Sequence, residues 1–257
     1  MPASYLPHLF TLKLPLVMLA LGLAGTIGAA IALTRRELPR ARLAGLVVVI
    51  LAAYLPVIAA MIGRPALYNG LRHFIFVVPP FAVLGGIAAG WLFARVRQYG
   101  SYGRLAATAV FAAGIAMPVI GMTRLHPYEY TYFNRLAGGV RGAQDDYMLD
   151  YWGLAFKQAS IALRDWIAAN NLTPPNGRRW VVAVCGPQPA ANVALGPQFE
   201  TEFDQKQSDF ALALGTFYCR HLSAPVIADI VRDGVSYAVV YDLRGRATPN
   251  LLTLPPP

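Results

Sequence analysis

Four stretches of the chain, residues 14–34, 43–63, 74–94 and 105–123, contain no Asp, Glu, Lys or Arg, and each is 19 to 21 residues long. A helix rising about 1.5 Å per residue crosses a hydrocarbon layer about 30 Å thick in about 20 residues, and it satisfies its own backbone groups there. Buried helices of a water-soluble protein would carry polar stripes at 3.6-residue spacing, which these runs lack. Four transmembrane helices are expected, at about 14–34, 43–63, 73–94 and 105–123.

Charge divides the chain near Leu125. Residues 1–124 hold eleven Lys and Arg against one acid, Glu37, whereas residues 125–257 hold eleven basic residues against twelve acids. The formal net charge of +9 would suit a nucleic-acid protein if the basic residues covered a polar face, but here they stand in short clusters between uncharged runs. A content of 56% apolar and 14% charged residues excludes disorder. The densest basic clusters, Arg35, Arg36, Arg40 and Arg42 in one connection and Arg95, Arg97 and Arg104 in another, assign those two loops to the cytoplasm. The connection with Arg64 and Arg72, the amino-terminal segment and everything after Thr123 then face outward. A competing reading makes residues 1–32 a cleaved signal peptide, with Lys13 as its basic region and Ala30-Ile31-Ala32 as the cleavage site. Cleavage there would leave the Arg35–Arg42 cluster outside.

The expected fold class is an α-helical membrane protein with four transmembrane helices in region 1–124, followed by a small extracytoplasmic α/β domain in region 125–257. Pro56, Pro79-Pro80 and Pro118 interrupt the helices and should face a bundle or cavity, while Gly85, Gly86 and Gly90 would admit a close partner helix. The aromatic stretch from His126 to Asn134 is expected to lie on the membrane surface. Asp150 is a candidate N-cap for a helix running to about Ala169. The runs from Trp180 to Cys185 and from Tyr237 to Asp242 read as strands, with a helix from about Pro225 to Asp233. Phe210 to Phe217 fits strand or helix, and the closing three prolines read as a disordered tail.

Cys185 and Cys219 both fall in the outward half, where a disulfide is the expectation, with a free thiol pair or a metal site as alternatives. No C-x-x-C exists, and His8, His73, His126 and His221 are too scattered to complete a ligand set. No metal and no cofactor is expected. Signatures of common soluble enzymes, G-x-S-x-G, H-E-x-x-H and the Walker loop, are absent. The informative cluster is Tyr68-Asn69-Gly70-Leu71-Arg72-His73, at the outer mouth of the third helix. Its basic side chains suit either snorkelling to the interface or a lipid-linked phosphate, whose oxygens match a guanidinium fork.

Tyr5-Leu6-Pro7, Lys13-Leu14-Pro15, Leu71-Arg72-His73, Pro79-Pro80, His126-Pro127-Tyr128, Tyr132-Phe133-Asn134, Gly138-Gly139 and Asp150-Tyr151-Trp152-Gly153-Leu154 occur in that order. Together they resemble the carboxyl-terminal half of bacterial membrane-embedded C-type glycosyltransferases, relatives of protein O-mannosyltransferases and aminoarabinose transferases. The resemblance covers roughly residues 4–160. It implies sugar transfer from a polyprenyl-phosphate carrier to an extracytoplasmic acceptor at the bacterial cytoplasmic (inner) membrane. By resemblance Arg72 holds the lipid phosphate, with Lys13, His73 and Tyr68 as weaker matches, and a positive charge there would stabilise the departing phosphate.

The family's acidic residue in its first outward loop has no equivalent here. Asp145, Asp146 and Asp150 are conceivable substitutes, although capping a solvated helix is the commoner role for such a cluster. The chain is therefore expected to be the carboxyl-terminal portion of a longer transferase, inactive alone. Its expected partners are the polyprenyl-phosphate-linked sugar, membrane lipid, and the missing amino-terminal half or another membrane subunit, and no nucleic acid is expected. The alternative is a non-catalytic membrane anchor that displays a periplasmic binding or assembly module.

Overall fold

The computed structural model describes residues 2–67, 70–204, 208–215 and 222–245. The chain divides into two compact units, Met1–Gly121 with Phe133–Ala137, and Met122–Tyr132 with Gly138–Pro257. A short return segment, Phe133–Ala137, belongs with the first unit.

The first unit is helical: α1 (Tyr5–Lys13), α2 (Leu16–Arg35), α3 (Arg40–Gly63), α4 (Val78–Val96) and most of α5 (Gly100–Leu125). Among the described residues, three helical stretches are long and apolar enough to cross a membrane, Leu16–Arg35, Arg40–Gly63 and Arg72–Leu125. The third contains a 3₁₀ segment (Arg72–Val77), then α4, a 3₁₀ turn (Arg97–Tyr99) and α5. Gly100, with φ 71° and ψ −155°, interrupts the helical backbone between the last two. Large apolar side chains along these helices are exposed, Ile62 at 79% and Val110 at 73% among them. In water that surface would be a strong aggregation hazard, and it suits a hydrocarbon solvent.

Small residues set the helix packing. Gly22 and Gly25 of α2 lie against Phe81, Leu84 and Gly85 of α4. The two helices run parallel, since both contacts advance in the same direction along each chain. Gly85 therefore meets the close partner expected for it, and that partner is α2, whereas Gly86 and Gly90 face open space. Ala29, Ala53 and Leu84 bury a small core with Ile50, Tyr54 and Phe81 around it, joining α3 to the pair. Pro79 and Pro80 do not break a helix. They stand in the first turn of α4, where the N–H they lack would have no intrahelical partner. Pro56 and Pro118 are interior to α3 and α5, as expected.

The second unit adds α6 (Gly139–Ala143), α7 (Phe156–Ala169), α8 (Gln188–Leu195) and a sheet of β1 (Trp180–Cys185), β2 (Phe199–Glu202), β3 (Phe210–Leu214), β4 (Val226–Arg232) and β5 (Val235–Asp242). Strand order is β2-β1-β3-β5-β4. β1 pairs in parallel with β2 and β3, and β5 is antiparallel to β3 and β4. α7 buries Phe156, Ala159, Ser160 and Leu163 in the core. On one side of the sheet Ala183, Ala211, Ala213, Val239 and Tyr241 form a second apolar cluster.

Three expectations are corrected here, and the open choice over residues 210–217 resolves as a strand over Phe210–Leu214. Residues 226–232 form a strand, not a helix, because Asp233 (φ 46°) and Gly234 (φ 76°) make a two-residue reversal that pairs β4 with β5. The central strand β3 is buried at every position, so Ala and Leu suffice there and no alternation is visible. α7 starts at Phe156 rather than directly after Asp150. The aromatic stretch from His126 is not a surface anchor. Tyr128 and Thr131 are fully buried within the second unit, where Tyr128 stacks on Tyr237 with ring centroids 4.8 Å apart, and Phe133 and Asn134 are buried within the first. The proline tail and residues 216 and 217 lie outside the described residues.

Candidate functional site

Lys13 ends α1, a short helix whose last carbonyls need partners beyond the helix itself. Leu14 precedes a proline and is extended (ψ 147°), which turns the chain into α2. Asn134 supplies the partners. Its side-chain Nδ2 donates to the carbonyls of Thr11 (2.6 Å) and Leu14 (2.8 Å), and its backbone N–H donates to that of Leu12 (2.8 Å). The Asn134 Oδ1 accepts from the Leu136 N–H at 2.9 Å. Beside it, the Phe133 ring lies under the Lys13 ammonium, with Nζ 3.8 Å from the ring centroid. Burial lowers the Lys13 pKa to about 7. The site therefore holds a cation at a cost that an anionic ligand would offset.

Arg72 opens the 3₁₀ segment that leads into α4, half-buried, with exposed His73 next to it. The Arg72 Nε donates to His73 Nε2 at 3.2 Å. Phe74 and Val77, on the same segment, are buried with Leu6 of α1 and Ala60 of α3. One apolar cluster thus ties the segments carrying Lys13 and Arg72 to the end of α3. The fourth expected residue, Tyr68, lies outside the described residues.

Adjoining this cluster is a cavity of about 260 Å³. Pro7, Phe10, Thr11 and Leu14 line it from α1 and its junction, Leu19 and Leu23 from α2, Tyr54, Val57 and Met61 from α3, and Val77, Val78 and Phe81 from the start of α4. Its walls are apolar except for Thr11 and Tyr54. Thr26 Oγ1 donates to the Gly22 carbonyl (2.8 Å), so the Tyr54 hydroxyl must donate to Thr26 Oγ1 at 2.7 Å. Such a cavity suits a hydrocarbon chain better than a polar substrate.

Glu37 is exposed in the connection between α2 and α3, beyond the far end of a 20-residue helix from Leu16. That is about 30 Å of helix. Asp145 and Asp146 are exposed. Asp150 is buried, and its carboxylate accepts from the Tyr130 hydroxyl and from the N–H groups of Leu154 (2.9 Å) and Ala155 (2.8 Å). That is a capping role just ahead of α7. Among the described residues no group of three or more His, Cys, Asp and Glu is placed to hold a metal ion. Cys185, at the end of β1, is disulfide-bonded, and Cys219 lies outside the described residues.

Asn134 and Tyr54 were not distinguished by sequence reasoning. Tyr54 is one polar position in a long apolar run, and Asn134 follows an aromatic pair with no local pattern that signals a distant partner. Compared with protein-family models, curated proteins and solved structures, the chain matches none.

Proposed function

We propose that this chain is the donor-binding part of an integral-membrane glycosyltransferase that uses a polyprenyl-phosphate-linked sugar. The observation that carries the reading is the apolar cavity at the helix ends beside the Lys13 and Arg72 segments. A polyprenyl chain would lie in the cavity, and its phosphate would meet Lys13, Arg72 and His73 at the rim. The helices cross the bacterial inner membrane four times, because a stretch of 54 residues broken at Gly100 is about twice what one crossing needs. The arginine-rich connections face the cytoplasm, and the rim and the α/β domain face outward.

The chain's own groups would hold the phosphate and stabilise the charge it gains as the anomeric bond breaks. Deprotonation of an acceptor hydroxyl needs a carboxylate, whereas the Asp150 carboxylate is engaged by two backbone N–H groups ahead of α7 and Glu37 lies beyond the far end of α2. On this reading transfer draws its carboxylate from a further membrane polypeptide.

The test is binding of polyprenyl phosphate to the purified chain in lipid nanodiscs, followed by native mass spectrometry. Arg72→Ala is expected to weaken binding about tenfold or more, the value of a charge-assisted phosphate contact. Folded yield should be little changed, because Phe74 and Val77 anchor the segment. Equal binding by the variant would contradict the assignment.

A second reading, a membrane anchor displaying a periplasmic binding module, is favoured by the self-sufficient core of the α/β unit, where Leu163, Val182, Leu212 and Val240 are fully buried. It requires the unit to capture a partner without the helices, which a pull-down with residues 126–257 would reveal.

A further inference from the structure

One residue, Asn134, binds three carbonyls that bracket Lys13 on both sides, those of Thr11, Leu12 and Leu14. Both amide hydrogens of its side chain are used, so the backbone on either side of Lys13 is fixed by a residue 121 positions away (134 − 13). The preceding residue, Phe133, offers its ring face to the Lys13 ammonium at 3.8 Å. Both are buried, at 1% and 3% exposure. Asn134 donates to three carbonyls at the end of α1 and beyond it, and the Phe133 ring meets a cation as well as apolar neighbours. The combination fixes the direction in which one ammonium group points.

We infer that Asn134 and Phe133 are positioning residues that hold the Lys13 ammonium as a ligand for a lipid-linked phosphate at the rim of the apolar cavity. The inference rests on the donor-binding reading above. A lysine carries three donors on a flexible stem, and much of its binding strength is lost in ordering that stem. A pre-set backbone and a ring face remove part of that cost before the ligand arrives. The cation–ring contact also occupies one side of the ammonium and leaves its approach direction defined.

The experiment uses the full chain in nanodiscs, with polyprenyl phosphate as the probe. Wild type, Asn134→Ala, Phe133→Leu, Lys13→Gln and the Lys13→Gln/Asn134→Ala double variant are compared. Two quantities are read, affinity by native mass spectrometry and the rate of amine acylation at Lys13 relative to exposed Lys157 by peptide mass spectrometry. Lys13 is the one lysine in residues 1–124, so its label is unambiguous.

Asn134→Ala is expected to weaken binding by about tenfold, and the double variant should bind no more weakly than Lys13→Gln alone, the signature of residues acting through one another. Acylation of Lys13 should rise several-fold in Asn134→Ala, an effect that a general loss of stability would not confine to one lysine. Phe133→Leu keeps the apolar volume and the Asn134 bonds, and it should weaken binding by about threefold. It serves where Asn134→Ala folds poorly. Unchanged affinity in Asn134→Ala and Phe133→Leu, or full additivity in the double variant, would overturn the positioning role while leaving the donor-binding reading intact. Failure of wild type to bind polyprenyl phosphate would overturn both.

Discussion

Gly25→Val is expected to separate α2 from α4 and to abolish most of the folded yield. A Cβ at Gly25 would stand 1.9 Å from the backbone oxygen of Leu84, and no side-chain rotation relieves a clash with backbone. Helices in lipid gain nothing from hiding apolar surface, so their association depends on close approach of small residues. Forcing the pair apart removes the Gly22–Gly85 contact and the core of Ala29, Ala53 and Leu84 as well. Overpacking alone costs about 1–3 kcal/mol, and the lost contacts should bring the total above about 3 kcal/mol. Gly86→Val and Gly90→Val are the controls, because a Cβ at either meets nothing within 4 Å. Detergent-extracted, monodisperse yield and thermal midpoint separate the cases. A Gly25→Val protein as stable as Gly86→Val would show that the packing of α2 on α4 is wrong.

The second large effect is expected at Asp150. Its carboxylate, 3% exposed, accepts from the Tyr130 hydroxyl and from two backbone N–H groups at the entrance to α7. Burial, followed by the charge of Asp150, raises the Tyr130 hydroxyl well above its usual range and keeps it a neutral donor. Asp150→Ala strands all three donors, each worth about 1–3 kcal/mol when buried without a partner. A total loss of about 3–5 kcal/mol is expected, read as a lowered denaturant midpoint for the α/β unit followed by near-ultraviolet circular dichroism. Asp145→Ala and Asp146→Ala, both at exposed positions, should change stability by less than about 0.5 kcal/mol. If Asp150→Ala were fully stable yet lost sugar transfer in a complete system, a base role would replace the capping one.

How far the sequence could be read depended on what each signal measures. Uncharged runs report the solvent directly, so the helices of the first unit lie within a few residues of their expected places, and the β-branched run Trp180–Cys185 coincides with β1. Segments whose state depends on partners were less visible. β3, five apolar residues buried at every position, has no alternation to find, and β4 is defined by the Asp233-Gly234 turn that pairs it with β5. Aromatic density after α5 signalled an interface only by position. In the fold, Tyr128 and Tyr237 use that density to stack, with Arg232 over the Tyr128 ring and donating to Gln158, which also accepts from the Tyr128 hydroxyl. At the candidate site, Lys13 and Arg72 were legible as cations beside apolar runs, with His73 next to Arg72. The cavity next to them and the Asn134 clamp were not, since both arise from residues more than a hundred positions apart or from the fit of four helices.

Donor binding as proposed requires the end of the helices bearing Lys13, Arg72 and His73 to face away from the cytoplasm, opposite the end bearing Arg97. Arg72→Cys and Arg97→Cys can be labelled in intact cells with a membrane-impermeant maleimide, using the wild-type chain as the blank. Labelling at position 72 without permeabilisation, and at position 97 only after it, is the expected result. The reverse pattern would place the cationic rim in the cytosol and contradict donor binding from the outer face.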